Sequence, residues 1–273
     1  MGIFDGILIC TDLDGTLLRD DKTVSRENRE AIEYFKREGG RFSFITGRMP
    51  YYATAAYEVV RPNAPFGACN GGALYDGERG EYVWTAEPIP QDVIELIDAV
   101  VAAEPEIGVQ YASHHNTYFA KDNAVMVEFR RETDLPNITC PPGACPVPIA
   151  KVLFGGLPEE LATAERVLRA HPRAEEFVFV RSEEYLFEIL RAGVDKGLAI
   201  AKLCDVLGIE RKRSIAIGDY NNDIPMLRAA GVGIAVANAC PEALAAADLV
   251  TVSNEESAIA RVISDIESGK ISF

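Results

Sequence analysis

Positive charge is scarce in this 273-residue chain: 27 Lys and Arg stand against 42 Asp and Glu, a formal net charge of −15. The nearest thing to a basic cluster, Arg130-Arg131, is flanked by Glu128 and Glu132. A nucleic-acid footprint needs a basic stripe or patch, so that class of partner is excluded. No apolar run reaches membrane-spanning length, which excludes a spanning helix. The start Met1-Gly2-Ile3-Phe4-Asp5 lacks the basic residues that open a secretory signal. The six cysteines are scattered, and Cys10, Cys69 and Cys204 sit in apolar surroundings. They read as reduced core thiols of a cytoplasmic protein. Cys140 and Cys145, with His114 and His115 upstream, follow no zinc-ligand spacing. In so acidic a chain a phosphate site must gather its cations locally, so an isolated Lys or Arg in a loop is informative.

Hydrophobic residues are plentiful, at 48% of the total, enough for one large or two smaller cores. The stretch that organises them is Ile7-Leu8-Ile9-Cys10-Thr11-Asp12-Leu13-Asp14-Gly15-Thr16. An apolar run of this length reads as a strand buried on both faces. Alternation along an extended chain directs Asp12 and Asp14 to the same side, at the strand's C-terminal end. Two carboxylates that close repel unless a cation intervenes or one is protonated, so the pair asks for Mg²⁺, for acid–base work, or for both.

Ser25 is placed to cap a helix running to about Glu38, which Gly39-Gly40 ends. A strand over 41–46 closes on Thr46-Gly47-Arg48. A helix over 51–60 follows, then a short strand, Phe66 to Asn70, that ends in Asn70-Gly71-Gly72. Strand and helix in alternation predict a parallel sheet with right-handed crossovers. From 81 to 191 the rhythm changes. Strands are expected at 109–112, 117–120, 125–129, 151–154, 177–180 and 185–190, with helices only at 91–103 and 159–170. A Pro-rich loop spans 136–148. Neighbouring strands without intervening helices predict an inserted antiparallel α+β unit. The βα rhythm returns at Asp195-Lys196-Gly197, and a buried strand, Ser214 to Ile217, ends at Gly218-Asp219.

Four loops thus stand at strand ends of one sheet, where ligands of open α/β sheets bind. Their residue types suit phosphoryl chemistry. Thr46 offers a hydroxyl, and Gly47 beside it a backbone amide, for phosphate oxygens. Lys196 supplies a compact positive charge. Asp12 and Asp219 offer hard oxygen ligands for Mg²⁺, Asn222 a hydrogen bond to phosphate, and Asp223 a hold on metal-bound water. Arg48, Asn70 and Gly71, at the neighbouring strand ends, are candidate substrate contacts.

Taken together, Asp12-Leu13-Asp14-Gly15-Thr16, Thr46-Gly47-Arg48, Lys196-Gly197 and Gly218-Asp219-Tyr220-Asn221-Asn222-Asp223 resemble the motifs of the haloacid dehalogenase superfamily, and specifically its Cof-type sugar-phosphatase branch. The resemblance covers essentially the whole chain. It implies a Rossmann-like core of residues 1–80 and 192–273 and an α/β cap at 81–191. It also implies an Mg²⁺-dependent phosphatase of small phosphorylated metabolites, sugar phosphates first among them. Asp12 would be the nucleophile that forms an aspartyl phosphate, and Asp14 the general acid–base. Thr46 and Lys196 would bind phosphate, and Asp12, the Asp14 backbone carbonyl and Asp219 would hold the metal. Crowding against Asp12 is expected to keep Asp14 partly protonated near neutral pH. His114, His115, Lys121, Arg130 and Arg181 are the cap's candidate polar contacts. Asn70-Gly71-Gly72 and Asn254-Glu255-Glu256-Ser257 depart from the Asn-Gly-Ala and Asn-Glu-Asp-Gly of relatives. A phosphomutase of the phosphomannomutase type is the enzyme alternative, and a phosphoryl-accepting signalling domain the non-enzyme one. The expected assembly is a monomer or homodimer.

Overall fold

The computed structural model describes residues 2–141, 143 and 148–273. In chain order its elements begin with β1 (Leu8–Thr11), α1 (Arg26–Arg37), β2 (Arg41–Phe44), α2 (Thr54–Val60), β3 (Phe66–Ala68), β4 (Ala73–Asp76) and β5 (Glu81–Thr85). They continue with α3 (Val93–Ala103), β6 (Gly108–Ala112), β7 (Thr117–Lys121), α4 (Ala124–Glu132), β8 (Lys151–Gly155), α5 (Pro158–Ala170), β9 (Phe177–Glu183) and β10 (Leu186–Arg191). The last are α6 (Lys196–Leu207), β11 (Ser214–Gly218), α7 (Ile224–Ala229), β12 (Val232–Ala235), α8 (Pro241–Ala246), β13 (Leu249–Val250) and α9 (Ala258–Glu267). No helix among the described residues is long and apolar enough to cross a membrane.

The chain divides into two compact units. The first takes the chain up to Arg48, then Ala53–Thr85 and Asp195–Phe273. Its five-stranded sheet, ordered β13-β12-β11-β1-β2, is parallel throughout, as the alternating pattern predicts. β1 lies between β11 and β2 and is buried along its whole length, which is why its sequence is an unbroken apolar run. Helix α1 packs with α9 and α6 with α7, and their buried faces share one apolar core with the strands. Ser25 caps α1, its hydroxyl accepting from the Asn28 amide at 3.1 Å.

β3 departs from the expected third parallel strand. It lies parallel beside β2's end, as expected, but only through a single bridge, Ile45 to Gly67, and it pairs antiparallel with β4 in a separate three-stranded sheet, β3-β4-β5. Gly71-Gly72 turn the chain straight back into β4, so an extended partner lies next door in sequence. β5 belongs to that hairpin, so 81–85 sits with the first unit rather than with the insertion.

The second unit comprises Ala86–Val194 and a short outlier, Met49–Tyr52. Its sheet, ordered β7-β6-β8-β10-β9, is antiparallel throughout. One face of it, with Val109, Tyr111, Val152, Phe154, Phe187 and Ile189, packs against α3 and α5 in a second apolar core. Residues 49–52, of which Tyr51 and Tyr52 were expected to open the helix over 51–60, form a separate turn within this unit. The Tyr51 hydroxyl meets Thr117 Oγ1 at 2.8 Å, and the Tyr52 ring stands edge-on to Phe129. Residues 125–129 are helical, not extended. The alternation of Val125, Val127 and Phe129 imitates a strand, but Asn123 overrides it, its side chain accepting from the Met126 amide at 2.9 Å as an N-cap. Cys140 is among the described residues; Cys145, the other cysteine of that pair, lies outside them.

The Asn123 amide also donates to the Glu106 and Gly155 carbonyls at 3.0 and 2.9 Å. Asn123→Ala is expected to cost roughly 1–3 kcal/mol of stability through the lost cap and two orphaned carbonyls. Urea unfolding checks it, and wild-type stability would mean that another interaction holds α4.

Candidate active site

The site grows from the carboxyl ends of β1, β2 and β11 and from the start of α6. β1 ends at Thr11, and the Asp12 amide still follows the ladder, donating to the Ile217 carbonyl at 2.8 Å. Beyond it the chain turns: Gly15 has φ +77°, and a Cβ there would stand 2.6 Å from Asp219 Oδ2. Thr16 donates to the other oxygen of Asp219 at 2.6 Å, tying the turn after β1 to the end of β11.

Lys196 opens α6, whose N-cap is Asp195, accepting from the Leu198 amide at 2.8 Å. Gly197 follows because a Cβ there would lie 2.6 Å from the Pro225 carbonyl; a larger residue would push α6 off α7. Lys196 is 1% exposed. Its ammonium bridges Asp12 Oδ1 at 2.7 Å and Asp223 Oδ1 at 2.5 Å. Asp223 Oδ2 accepts from the backbone amides of Asp219 and Tyr220 at 2.8 and 3.0 Å, which shapes the loop after β11.

Asp12, Asp219 and Asp223 can each offer an oxygen within 4.8 Å of the others. Burial, reinforced by the Asp223 charge, pushes the Asp12 carboxyl well above its ordinary value despite Lys196. The same two causes raise Asp219 to about 6. Burial works against the Lys196 charge, but Asp12 and Asp223 outweigh it, and its pKa rises. Three carboxylates around one ammonium leave two negative charges uncompensated. Among the described residues, no hydrogen bond reaches Asp12 Oδ2 or Asp219 Oδ2. An all-oxygen donor set with that charge deficit fits a hard divalent cation.

Asp14 is elsewhere. Arg48 grips its carboxylate with Nη2 at 2.8 and 2.9 Å and Nε at 3.2 Å, and Lys22 adds a bond at 2.9 Å. Burial disfavours the charged form, but Arg48 and Lys22 prevail and hold the carboxyl below its ordinary value. The expectation of crowding against Asp12 and partial protonation therefore fails in this structure. Alternation holds only while the chain stays extended, and β1 stops before Asp12.

On the far side of Asp12, Arg48 N–H donates to Thr46 Oγ1 at 3.2 Å and Asn70 N–H to the Thr46 carbonyl at 3.0 Å. Asn70 is left-handed, with φ 50° and ψ 35°, and its Oδ1 accepts from Asn222 Nδ2 at 3.2 Å. Gly47 passes close to the Asn70 amide and Gly71 close to the Asp195 carbonyl. Thr46, Gly47, Asn70, Gly71, Asn222 and Lys196 thus belong to one connected group. Several members were not legible in the sequence. Thr16 positions Asp219, Lys22 binds Asp14, and Asn238 donates to the Gly15 carbonyl at 2.8 Å. Asn254 braces the turn after β1 through the Leu18 carbonyl and Asp20. Thr16 stood in the Asp12–Thr16 motif and Asn254 in Asn254-Glu255-Glu256, but neither carried a role; Lys22 and Asn238 carried no signal.

Of the second unit's candidate polar residues, Arg130 pairs with Asp122 through two bonds of 3.0 Å and lies over the Phe119 ring. Arg181 donates to the Glu183 and Glu184 carbonyls, and Lys121 to those of Pro105 and Ile107. His114 and His115 stand in the turn between β6 and β7, where burial and the neighbouring His115 lower the His114 pKa.

The profile of a family described as haloacid dehalogenase-like hydrolase matches residues 9–263. The chain is 31% identical over 281 residues to the "Putative phosphatase YxeH" of Bacillus subtilis, an alignment covering 96% of this chain and 99% of that one. It is 27% identical to the 5-amino-6-(5-phospho-D-ribitylamino)uracil phosphatase YitU of the same organism, with 94% and 96% covered. Among solved structures it resembles a haloacid dehalogenase-like hydrolase from Bacteroides thetaiotaomicron, with TM-score 0.82, 26% identity and 95% and 99% covered.

The raised Asp219 carboxyl makes stability depend on pH. Without divalent metal the folded chain holds a proton up to about pH 6 that the unfolded chain releases near ~4. The stabilisation present below the unfolded value is lost as pH rises through 6. In EDTA the melting temperature is expected to climb between pH 7 and 5, and Asp219→Asn to flatten that slope. Equal slopes would mean that Asp219 is not the group being titrated.

Proposed function

Because this chain belongs to the haloacid dehalogenase-like hydrolases and is a phosphoric monoester hydrolase, we propose that it hydrolyses small phosphorylated metabolites, sugar and polyol phosphates first, through an aspartyl phosphate on Asp12 with Mg²⁺ as cofactor. The observation that carries this is the Lys196 ammonium bridging two buried carboxylates beside Asp219 at the sheet's carboxyl edge. Yet one carboxylate there, Asp12, keeps an oxygen free for attack. The ribityl phosphate in the name of one relative supports the substrate class.

Asp12, Asp219 and the Asp14 carbonyl would hold the cation, with Asp223 behind them. When bound, it offsets charge on the phosphoryl oxygens and the attacking carboxylate. Asp12 attacks phosphorus in line and the ester oxygen departs. Lys196, Thr46 Oγ1, the Gly47 amide and Asn222 hold the phosphoryl oxygens. Asp14 gives the departing oxygen a proton and later takes one from the water that hydrolyses the acyl phosphate. An ionised Asp14 suits that second step. For the first it must be released by Arg48, for which an incoming phosphate competes, and take up a proton from solvent before giving it to the departing oxygen. Arg48, Asn70 and Gly71 then serve the substrate side. Among the described residues of the second unit, Arg130, Arg173 and Arg191 pair with carboxylates and Arg181 with carbonyls, which supports a phosphatase over a mutase that must hold a second phosphate. The working state we propose is a cytoplasmic monomer or homodimer.

Release of inorganic phosphate from p-nitrophenyl phosphate is the test. Turnover is expected with Mg²⁺, none in excess EDTA, and none from Asp12→Asn. Asp14→Asn should keep substrate affinity while kcat falls about 10²–10⁴-fold. Full turnover in EDTA would remove the metal, and turnover by Asp12→Asn would remove the nucleophile.

A further inference from the structure

Asn238 stands in the turn after β12, where the Ala239 amide closes back on the Val236 carbonyl at 3.0 Å. The residue is exposed, and an asparagine in such a turn ordinarily bonds to its own backbone or to water. Here both side-chain polar atoms reach other segments. Nδ2 donates to the Gly15 carbonyl at 2.8 Å, and Oδ1 accepts from the Asn254 backbone amide at 3.0 Å. A backbone N–H can only donate, so Asn254 takes the oxygen and leaves the nitrogen for Gly15.

The turn is anchored on the strand that leads to Asp219. Val236 N–H donates to the Gly218 carbonyl at 3.2 Å, and Cys240 N–H to the Asp219 carbonyl at 2.8 Å. Residues 236–240 therefore bracket two segments, the end of β11 and the turn after β1. Asn254, 3% exposed, seconds that hold with bonds of 3.2 Å to the Leu18 carbonyl and to Asp20 Oδ1. Its own short turn is set by Ser253, whose amide and hydroxyl both donate to Glu256 Oε2.

What the bracket holds is a glycine. Gly15 has φ +77°, and a residue without Cβ moves between backbone conformations at little cost. The Asp14 carbonyl, assigned above to the cation, belongs to the peptide that enters Gly15 and would swing with it. Gly15 also lies directly on Asp219, where a Cβ would stand 2.6 Å from Oδ2. Any swing of that peptide would thus change the spacing between two of the proposed ligands. Thr16 ties only the following residue to Asp219. Asn238 pins the glycine's own carbonyl.

We infer that Asn238 is a positioning residue for the cation, acting through the Gly15 carbonyl to hold the Asp14 carbonyl against Asp219; the inference rests on the Mg²⁺ site proposed above. It touches neither the cation nor the substrate. Residues that orient metal ligands from behind commonly set metal affinity or activity by 10–100-fold.

The test compares wild type with Asn238→Ala as full-length, metal-free protein. Mg²⁺ is titrated into each by calorimetry without substrate. Melting temperatures are taken in EDTA and in Mg²⁺, and turnover of p-nitrophenyl phosphate is followed against Mg²⁺ concentration. The variant is expected to bind Mg²⁺ about 10-fold more weakly. Its melting temperature should rise less on adding the metal, and half-maximal turnover should need proportionately more Mg²⁺. KM for the ester at saturating Mg²⁺ should stay put. Equal Mg²⁺ affinity in the two proteins would overturn the inference: a melting temperature lowered equally in EDTA and Mg²⁺ would make Asn238 a fold residue, and a raised KM a substrate contact. A wild type that binds no Mg²⁺ would remove the cofactor and this inference together. Weaker Mg²⁺ binding by the variant, with no ester hydrolysed by either protein, would leave the positioning role standing and remove the phosphatase.

Discussion

The buried ammonium of Lys196 is the interaction on which the site depends. Without it Asp12 and Asp223 would face each other as buried carboxylates beside Asp219, and the chain would have to protonate them or pull them apart. Much of the local sequence serves to deliver that one charge. Asp195 caps α6 so that its first residue faces the carboxylates, and Gly197 lets α6 lie against α7. The loop after β11 is folded around Asp223 so that its second oxygen is spent on backbone amides and its first is left for Lys196. The compensation is deliberately incomplete in charge: a single ammonium among three carboxylates leaves the region tense until a cation or a proton arrives, and catalytic sites commonly store such tension.

Much of this was legible because phosphoryl chemistry needs particular residue types at strand ends. Asp12, Thr46, Lys196, Asp219, Asn222 and Asp223 are each placed by a strand end or a helix start that periodicity finds. What escaped the sequence was set by direction rather than by element. Asp14 was expected beside Asp12, but one residue of turn was enough to send it to Arg48. The strand expected over 125–129 became α4 because one side chain, Asn123, satisfied the first free amide of a helix. β3 joined a hairpin because Gly71-Gly72 brought a nearer partner than the parallel sheet. In each case a local hydrogen bond or turn outweighed a pattern read over a longer window.

The second unit was harder still. The conspicuous cations there, Lys121, Arg130 and Arg181, are engaged with neighbouring carboxylates and carbonyls. Gln110 of β6 and Glu188 of β10 attracted no notice, since an isolated polar residue in a short strand resembles the solvent face of an ordinary antiparallel sheet. Only the register across three strands reveals that they share a face with Lys151 of β8, and all three are buried.

The membership of residues 49–52 bears on how these proteins can be recombined. The chain passes from one unit to the other at 48/49, 52/53, 85/86 and 194/195, four times rather than two. A chimera made by exchanging only 86–194 with a relative would carry away Thr117 and Phe129 but leave Tyr51 and Tyr52 behind. The transplanted sheet would meet foreign tyrosines, or none, at that face. Natural shuffling of such insertions must therefore move two separated pieces of gene together, or else find a partner whose short piece already fits.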